Sequence, residues 1–341
     1  MKKFRIISLI LAAAMILSLT ACGGGSATPS GDGTSSGAKV TLSLGHTNNT
    51  EHHYQVMSES FKQIVEEKSG GSIEINIFPA EQLGSGAEML ESVKSGTQDM
   101  VIDPDAYLAN YDSMFYVLGM PYIFSSWDQV KKFPEGEAAK QLEQIAEEQG
   151  LKLLGWASNG FRVMTTNKEV NTPDDLKGVK MRVGNSKLMS DLLAALGCNP
   201  TPLSMGDTYS GIQTGIVDAQ ENPTSNIVGS KFYEVQDYLA VTHHVYTTEP
   251  LIMNKAKFDS LTPEQQQILL DAGKEVCTAD VDACAAQEEA DLELIAANNT
   301  TITYPDAAPF KAAVQSVVDK YAAEYGEAFT ALLKQLETDI G

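Results

Sequence analysis

Hydrophobic residues between positions 40 and 156 alternate between two periods. Val40, Leu42 and Leu44 recur every second residue, as in a strand. Tyr54, Met57, Phe61, Ile64 and Val65 then fall three or four apart up to Gly70 and Gly71, as on one face of a helix. Ile73, Ile75 and Ile77 return to the period of two, Met89, Leu90 and Val93 to the helical one, and residues 100–102 form a further short strand. A helix around 141–148 leads into a strand-like run at 151–156. The order βαβαβ predicts an α/β layered fold with a largely parallel sheet.

A second set begins after Gly160. Thr172-Pro173-Asp174-Asp175 combines an N-cap, a proline at the first helical position and acidic residues in the first turn. Residues 179–183 read as a strand, 186–196 as a helix closed by Gly197, 206–214 as another helix, and 216–219 and 238–242 as strands. Two α/β lobes follow, with a ligand crevice beyond the strand C-termini. From Thr262, with Pro263, Glu264 and Gln265 as start signals, to about Ala297 there is no further proline and one glycine, Gly273. About 36 residues of helix span about 54 Å, more than the roughly 30 Å of a small domain, so this helix runs along both lobes, with Gly273 as a place to bend. Two helices broken at 279–282 are the alternative.

The N-terminus changes the picture. Lys2, Lys3 and Arg5 precede an apolar stretch at 6–19 and then Thr20-Ala21-Cys22, the layout of a secretory signal. Ser8 and Ser18 interrupt the stretch, which is too short for a membrane span of about 20 residues. Leu19-Thr20-Ala21-Cys22 resembles the lipobox of bacterial lipoproteins, in which the cysteine thiol receives a diacylglycerol and cleavage falls just before it; two acyl chains suffice for stable anchoring. An ordinary cysteine near a conventional cleavage site is the alternative. Residues 23–37 are Gly, Ser, Thr, Ala and Pro with one Asp, a flexible tether. Loss of Lys2, Lys3 and Arg5 takes the formal charge from −21 to −24, a surface that repels nucleic acid and anionic headgroups. Cys277 and Cys284 are seven apart in a helical pattern, about 10 Å and beyond disulfide reach, so they and Cys198 are read as free thiols.

Catalytic signatures such as G-x-S-x-G, H-E-x-x-H, the P-loop and Cys/His zinc spacings are absent. His46, His52, His53, His243 and His244 are not spaced to share one face of an element, and neither a metal nor a cofactor is expected. Asp103-Pro104-Asp105 reads as an acid pair or, more simply, a solvated turn. Arg162 follows the 151–156 strand. Arg182 lies within an apolar strand, where a charge is costly unless paired. The simpler readings place Arg162 on a hinge surface and Arg182 on the solvent side of an edge strand.

Eight motifs in order carry a family resemblance: Phe78-Pro79-Ala80-Glu81-Gln82-Leu83-Gly84, Pro121-Tyr122-Ile123-Phe124, Asn159-Gly160-Phe161-Arg162, Thr172-Pro173-Asp174-Asp175-Leu176-Lys177-Gly178, Lys180-Met181-Arg182-Val183, Pro200-Thr201-Pro202, Glu221-Asn222-Pro223 and Phe232-Tyr233-Glu234-Val235. Over residues 40–325 the chain resembles the solute-binding proteins of tripartite ATP-independent periplasmic (TRAP) transporters, the dicarboxylate-binding DctP type. The resemblance implies two α/β lobes braced by a long helix, closure around one solute, and delivery to TRAP membrane permease subunits. It assigns the family's carboxylate-clamping arginine to Arg182, a second ligand-contacting arginine to Arg162 and a ligand-contacting asparagine to Asn222. From the first lobe it offers Thr47 and Asp105. Two departures stand out: Ala219 replaces a usual glycine, and Gly86 replaces a residue that is usually polar or acidic, which puts first-lobe polar contacts in doubt.

An arginine fork matches a carboxylate in two hydrogen bonds and stays charged in an apolar cleft, and asparagine adds a donor and an acceptor. Phe161, Met205 and Tyr209 are candidate apolar walls, equally readable as core. Together these features predict an extracytoplasmic, lipid-anchored binding protein for an organic acid. A sugar acid such as a hexuronate is favoured over a C4-dicarboxylate, since two arginines do not specify two carboxylates. The expected division is 1–21 signal, 22–37 tether, 38–159 plus 248–287 first lobe, and 160–247 plus 288–341 second lobe. An extracytoplasmic enzyme on the same scaffold is the alternative, against which stands the lack of a nucleophile and base pair; a surface adhesin fits the tether but not the buried arginines.

Overall fold

The computed structural model describes residues 39–102 and 105–341. The expected signal, Cys22 and the tether lie outside the described residues. The strands are β1 (Val40–His46), β2 (Ile73–Phe78), β3 (Met100–Ile102), β4 (Leu151–Thr166), β5 (Lys180–Val183), β6 (Asn199–Pro202), β7 (Gln220–Pro223), β8 (Tyr238–Ala240), β9 (Tyr246–Asn254) and β10 (Thr301–Thr303). The helices are α1 (His53–Lys68), α2 (Gly86–Ser95), α3 (Asp105–Leu108), α4 (Trp127–Lys132), α5 (Glu137–Glu148), α6 (Lys187–Ala195), α7 (Thr208–Gln213), α8 (Thr224–Gly229), α9 (Lys255–Asp259), α10 (Pro263–Ala297) and α11 (Ala307–Ile340). None of the described helices is long and apolar enough to cross a membrane.

The opening β1-α1-β2-α2-β3 follows its hydrophobic pattern. Leu42, Leu44, Ile73 and Ile75 are fully buried, and β1 pairs parallel with both β2 and β3. Beyond β3 the expected parallel sheet becomes mixed, because β9 runs antiparallel to β3 and to β4. The sequence pattern conceals β9: all nine of its residues are buried, so Tyr246-Thr247-Thr248-Glu249 shows no alternation.

β4 is 16 residues long, where the pattern suggested a strand at 151–156. Register shifts at Leu153/Gly155 and Ser158/Gly160 interrupt its periodicity without ending it. Its first part pairs with β9; from Arg162 onward it pairs with β7 and β8. One strand therefore belongs to both lobes, and Arg162 lies within it rather than past its end. Beside the central β4-β9 pair lie β3, β1 and β2 on one side and β8, β10 and β7 on the other, and β5-β6 form a separate parallel pair. The run at 216–219 forms only a single bridge, Met181 to Ala219, and the proline-capped segment at 172–175 forms a 3-10 turn, Pro173–Leu176.

The long helix is continuous. α10 has 35 residues, about 52 Å at 1.5 Å each, with no break at 279–282. Thr262 Oγ1 accepts from the Gln265 N–H at 3.2 Å, while Gln265 Oε1 accepts from the Thr262 N–H at 3.1 Å. Leu269, Ala272, Val276 and Cys277 pack with Leu42, Leu44 and Phe61 of the first lobe, whereas Ile295 packs with Val163, Phe232 and Leu239 of the second. Cys198 and Cys277 are buried, Cys284 is half-buried, and all three are free thiols.

Gly273 lets α10 rest directly on β4. A Cβ there would lie 2.4 Å from the Leu154 carbonyl oxygen, and one on Gly155 would lie 2.7 Å from Cys277 Sγ. Alanine is favoured over glycine by about 1 kcal/mol in a helix interior, but the clash is with backbone and has no side-chain relief. Gly273→Ala is therefore expected to destabilise by a net of about 1–3 kcal/mol, the range for overpacked cores. Urea unfolding should show a lower midpoint at unchanged slope.

At the C-terminus, α11 is two helical segments joined at Gly326, whose φ of 74° and ψ of −155° leave the helix. Phe310 and Val314 join the core around Met164 and Met181, whereas Phe329, Leu332 and Leu336 pack among Ala138, Leu142 and Tyr116. The chain end thus reaches back onto α5.

Candidate functional site

A cavity of about 120 Å³ is lined by residues 47–119 from one part of the chain and 159–247 from the other. One water needs about 10–15 Å³ on the same measure, so this space suits a small organic molecule. Arg182, Arg162, Asn222, Met205 and Thr47 all line it.

Arg182 is held by β5, whose Met181, Arg182 and Val183 are all buried. Its backbone N–H donates to the Ala219 carbonyl at 2.8 Å, which ties β5 to the segment entering β7. The side chain is 5 % exposed, and its Nε donates to the Leu203 carbonyl at 2.9 Å. Among the described residues no carboxylate oxygen comes within 4.0 Å of its nitrogens. Burial pulls the guanidinium below its ordinary value, opposed by Tyr107, Glu221 and Glu81, yet an arginine stays protonated in proteins. Among the described residues, Arg182 is thus a buried charge facing a cavity without a carboxylate in direct contact. Such an arrangement is costly unless an anion enters.

Arg162 differs in kind. Antiparallel pairing of β4 with β7 sets Arg162 opposite Pro223 and Val163 opposite Asn222. The Arg162 fork engages Glu221 through Nε to Oε2 and through Nη2 to Oε1 at 2.9 Å. Nη2 also donates to the Glu221 carbonyl at 2.8 Å and to Asn222 Oδ1 at 3.1 Å, and Nη1 donates to Thr247 Oγ1 at 3.3 Å. Glu221 is 1 % exposed; burial pushes its carboxyl up, but Arg162 and the contact with His244 outweigh this and hold it at about 2. Burial drives His244 down, so its ring is neutral at pH 7 and its 3.3 Å approach to Glu221 leaves Arg162 as the counter-charge. The pair is electrically closed.

An amide chain continues from it. Asn222 Nδ2 donates to Gln220 Oε1 at 2.6 Å, and Asn226 Nδ2 donates to Asn159 Oδ1 at 2.9 Å and to Asn222 Oδ1 at 3.3 Å. Across the cavity, Thr47, Asn48, Glu81 and Ser85 supply first-lobe polar groups, so Gly86 does not leave that wall apolar. Burial, with Asp207 adding to it and Arg182 opposing it, raises the Glu81 carboxyl. Ser85 and Ser186 cap α2 and α6, whose first turns also line the space, so two helix N-termini add partial positive charge.

Two expected site residues are placed elsewhere, and the side chain of a third is not described. Phe161 is 4 % exposed and packs at 5.2 Å, centroid to centroid, on both Trp127 and Tyr246, outside the cavity lining. It precedes Arg162 on a strand, so the two point to opposite faces. Tyr209 also lies outside, its hydroxyl donating to Glu234 Oε2 at 3.2 Å while its ring packs on the core around Phe232. The Asp105 side chain is outside the described residues; Ala106 and Tyr107, which follow it, line the cavity. Sequence reasoning missed Glu221, Glu81, Tyr107, Asn159 and Asn226. Glu221 alone carried a signal: a buried arginine in a strand requires a carboxylate, and one stands within the quoted Glu221-Asn222-Pro223 motif.

The profile of the family described as bacterial extracellular solute-binding protein, family 7 (DctP), matches residues 44–324. The chain belongs to this family. It is 33% identical, over 71% of its own length and 74% of the relative's, to the 2,3-diketo-L-gulonate-binding periplasmic protein of Escherichia coli K12. It is 36% identical, over 64% and 63%, to the C4-dicarboxylate-binding protein of Bacillus subtilis 168. Among solved structures, a TRAP periplasmic solute-binding protein of Sulfitobacter sp. NAS-14.1 with bound β-D-galacturonate superposes with a TM-score of 0.84 at 29% identity, over 87% of this chain and 99% of that one. All three are named as binding proteins.

Proposed function

We propose that this protein captures a sugar acid of the hexuronate class, with Arg182 as the clamp for its single carboxylate, and hands it to the membrane permease of a TRAP transporter. The observation that carries the reading is the different pairing of the cavity's two arginines. Arg162 is neutralised by Glu221, so Arg182 remains the one cation there without a described counter-ion. A C4-dicarboxylate brings two charges to that single unpaired cation. A sugar acid brings one charge and several hydroxyls, which the amides of Asn222, Asn226 and Asn159 and the hydroxyls of Ser85 and Ser186 suit. The galacturonate and diketogulonate of the similar proteins above belong to the same chemical class.

Capture proceeds by closure of 38–159 plus 248–287 against 160–247 plus 288–341, except that the segment after Gly326, packed on α5, moves with the first lobe. Supporting this division, the Ser158/Gly160 irregularity of β4 pairs with Thr248 and Thr247 of β9, so both crossing strands change lobes at one level. A ligand held by both walls favours the closed form by its differential affinity.

Thermal-shift screening tests the reading with D-galacturonate, 2,3-diketo-L-gulonate and succinate. A preferred acid at 100 times its Kd stabilises by about 2.7 kcal/mol. Saturable stabilisation by a sugar acid recovered unchanged supports the proposal; preference for succinate, or consumption of the acid, overturns it.

The protein works outside the cytoplasmic membrane, held there by a diacylglycerol on Cys22. Cys22→Ser removes the acceptor thiol, and the exported chain should move from the membrane pellet to the soluble fraction. Retention in the pellet would contradict the anchor.

A further inference from the structure

A second cavity, about 840 Å³, is lined by parts of α1, α8 and α10 and shares Asn159 with the arginine cavity. On its wall His53, the first residue of α1, meets Asp280 and Cys284, which lie four apart on one face of α10. His53 Nδ1 is 2.7 Å from Asp280 Oδ1, while Cys284 Sγ is 3.6 Å from the same nitrogen and 3.9 Å from Asp280 Oδ2. The Cys284 thiol also reaches the Ser158 carbonyl at 3.7 Å, so imidazole, carboxylate and thiol are held together on one wall.

The geometry points to a site for one zinc-type divalent ion, ligated by His53, Asp280 and Cys284 and completed by water from the cavity. A tetrahedral ion bonded at about 2.3 Å to sulfur and about 2.0–2.1 Å to nitrogen holds those two donors about 3.6 Å apart. Sγ and Nδ1 already have that separation. The nitrogen and the carboxylate oxygen need about 3.3 Å, so they part by about 0.6 Å as the ion enters between them. Thiolate, imidazole and carboxylate together suit zinc or cobalt, whereas magnesium and calcium prefer all-oxygen sets. The Ser158 N–H donates to Asp280 Oδ2 at 3.1 Å, orienting the carboxylate from behind.

Charge agrees with the donor set. Burial and the Asp280 carboxylate raise the Cys284 thiol well above its ordinary value, so the metal-free thiol keeps its proton. Binding expels that proton to solvent, while the His53 ring presents Nδ1 to the ion and carries its proton on Nε2. The ion's two positive charges then meet one thiolate and one carboxylate, which closes the balance in a half-buried wall. Cysteine and histidine spacing could not reveal the site, since His53 and Asp280 are 227 positions apart.

The test strips the reduced chain with chelator and titrates it with Co²⁺, whose thiolate complexes absorb in the near-ultraviolet and whose tetrahedral complexes absorb in the visible. Both bands should saturate at one equivalent, disappear on adding Zn²⁺, and develop at lower Co²⁺ as pH rises. Cys284→Ser should abolish the thiolate band, and Cys284→Ser and His53→Gln should each weaken binding by more than about tenfold, since even outer-shell changes cost about 10–100-fold. Neither residue lines the arginine cavity, so circular dichroism and acid binding within about twofold of wild type establish that the variants are folded. No saturable near-ultraviolet band in the wild type, or bands unchanged in both variants, would overturn the site.

Discussion

Arg182→Ala is expected to weaken binding of the sugar acid by about 30-fold to several thousandfold. Truncating one partner of a buried, hydrogen-bonded charge pair costs about 2–5 kcal/mol, and each decade of affinity is about 1.4 kcal/mol. The pair in question forms only with ligand, because the described residues offer Arg182 the Leu203 carbonyl and no carboxylate. Free-protein stability should therefore hold or rise as a buried, uncompensated charge is removed. Arg182→Lys keeps the charge but loses the planar fork, and it should also bind more weakly than wild type, with a smaller loss than alanine. Calorimetry on the three proteins checks the order. Affinity of the folded alanine variant within about twofold of wild type would make Arg182 structural.

Glu221→Gln should have the opposite signature, a large loss of stability in the absence of ligand. It removes the carboxylate that the Arg162 fork engages at 8 % exposure, and breaking one side of a buried pair costs about 3–5 kcal/mol. Exchanging both partners, Arg162→Met with Glu221→Leu, should recover most of that loss, because no charge is left behind. Acid provides a second readout. The folded Glu221 carboxyl titrates at about 2, below its ordinary 4.5, so the stability it contributes is complete above about pH 4.5 and is lost as pH falls through that value toward 2. At 1.36 kcal/mol per pH unit this amounts to about 3 kcal/mol. Denaturant unfolding from pH 6 to pH 3 should show a steeper decline for wild type than for Glu221→Gln, and equal slopes would contradict the pairing.

How much could be read in advance depended on whether burial was one-sided. The first βαβαβ unit was legible because β1 and β2 place Leu42, Leu44, Ile73 and Ile75 on a buried face and polar residues on the other. α10 was legible from Thr262-Pro263-Glu264-Gln265, whose capping box forms as written. β9 was missed because its polar residues are buried with its apolar ones. The second half of β4 was missed because Ser158-Asn159-Gly160, a polar stretch with the look of a turn, is buried within the strand. At the site, Arg182 stood out as a charge among apolar residues. Phe161 was misleading because an aromatic beside a motif arginine looks like a wall, although strand alternation sends it to the other face. The C-terminal helix gave no clear signal because Gly326 interrupts it and its buried residues serve two cores, Phe310 and Val314 one, Val317, Tyr321 and Phe329 the other.

If one carboxylate held by Arg182 anchors a ligand that is released unchanged, the acid and its neutral counterpart must differ in affinity. Calorimetric titration of the wild-type protein with D-galacturonate and with D-galactose, which differ by carboxylate against primary alcohol, tests it most directly. The account predicts saturable one-to-one binding of galacturonate, at least about 30-fold tighter than galactose, with the acid recovered intact. Equal affinity for the acid and the neutral sugar, or loss of the acid during the titration, would contradict it.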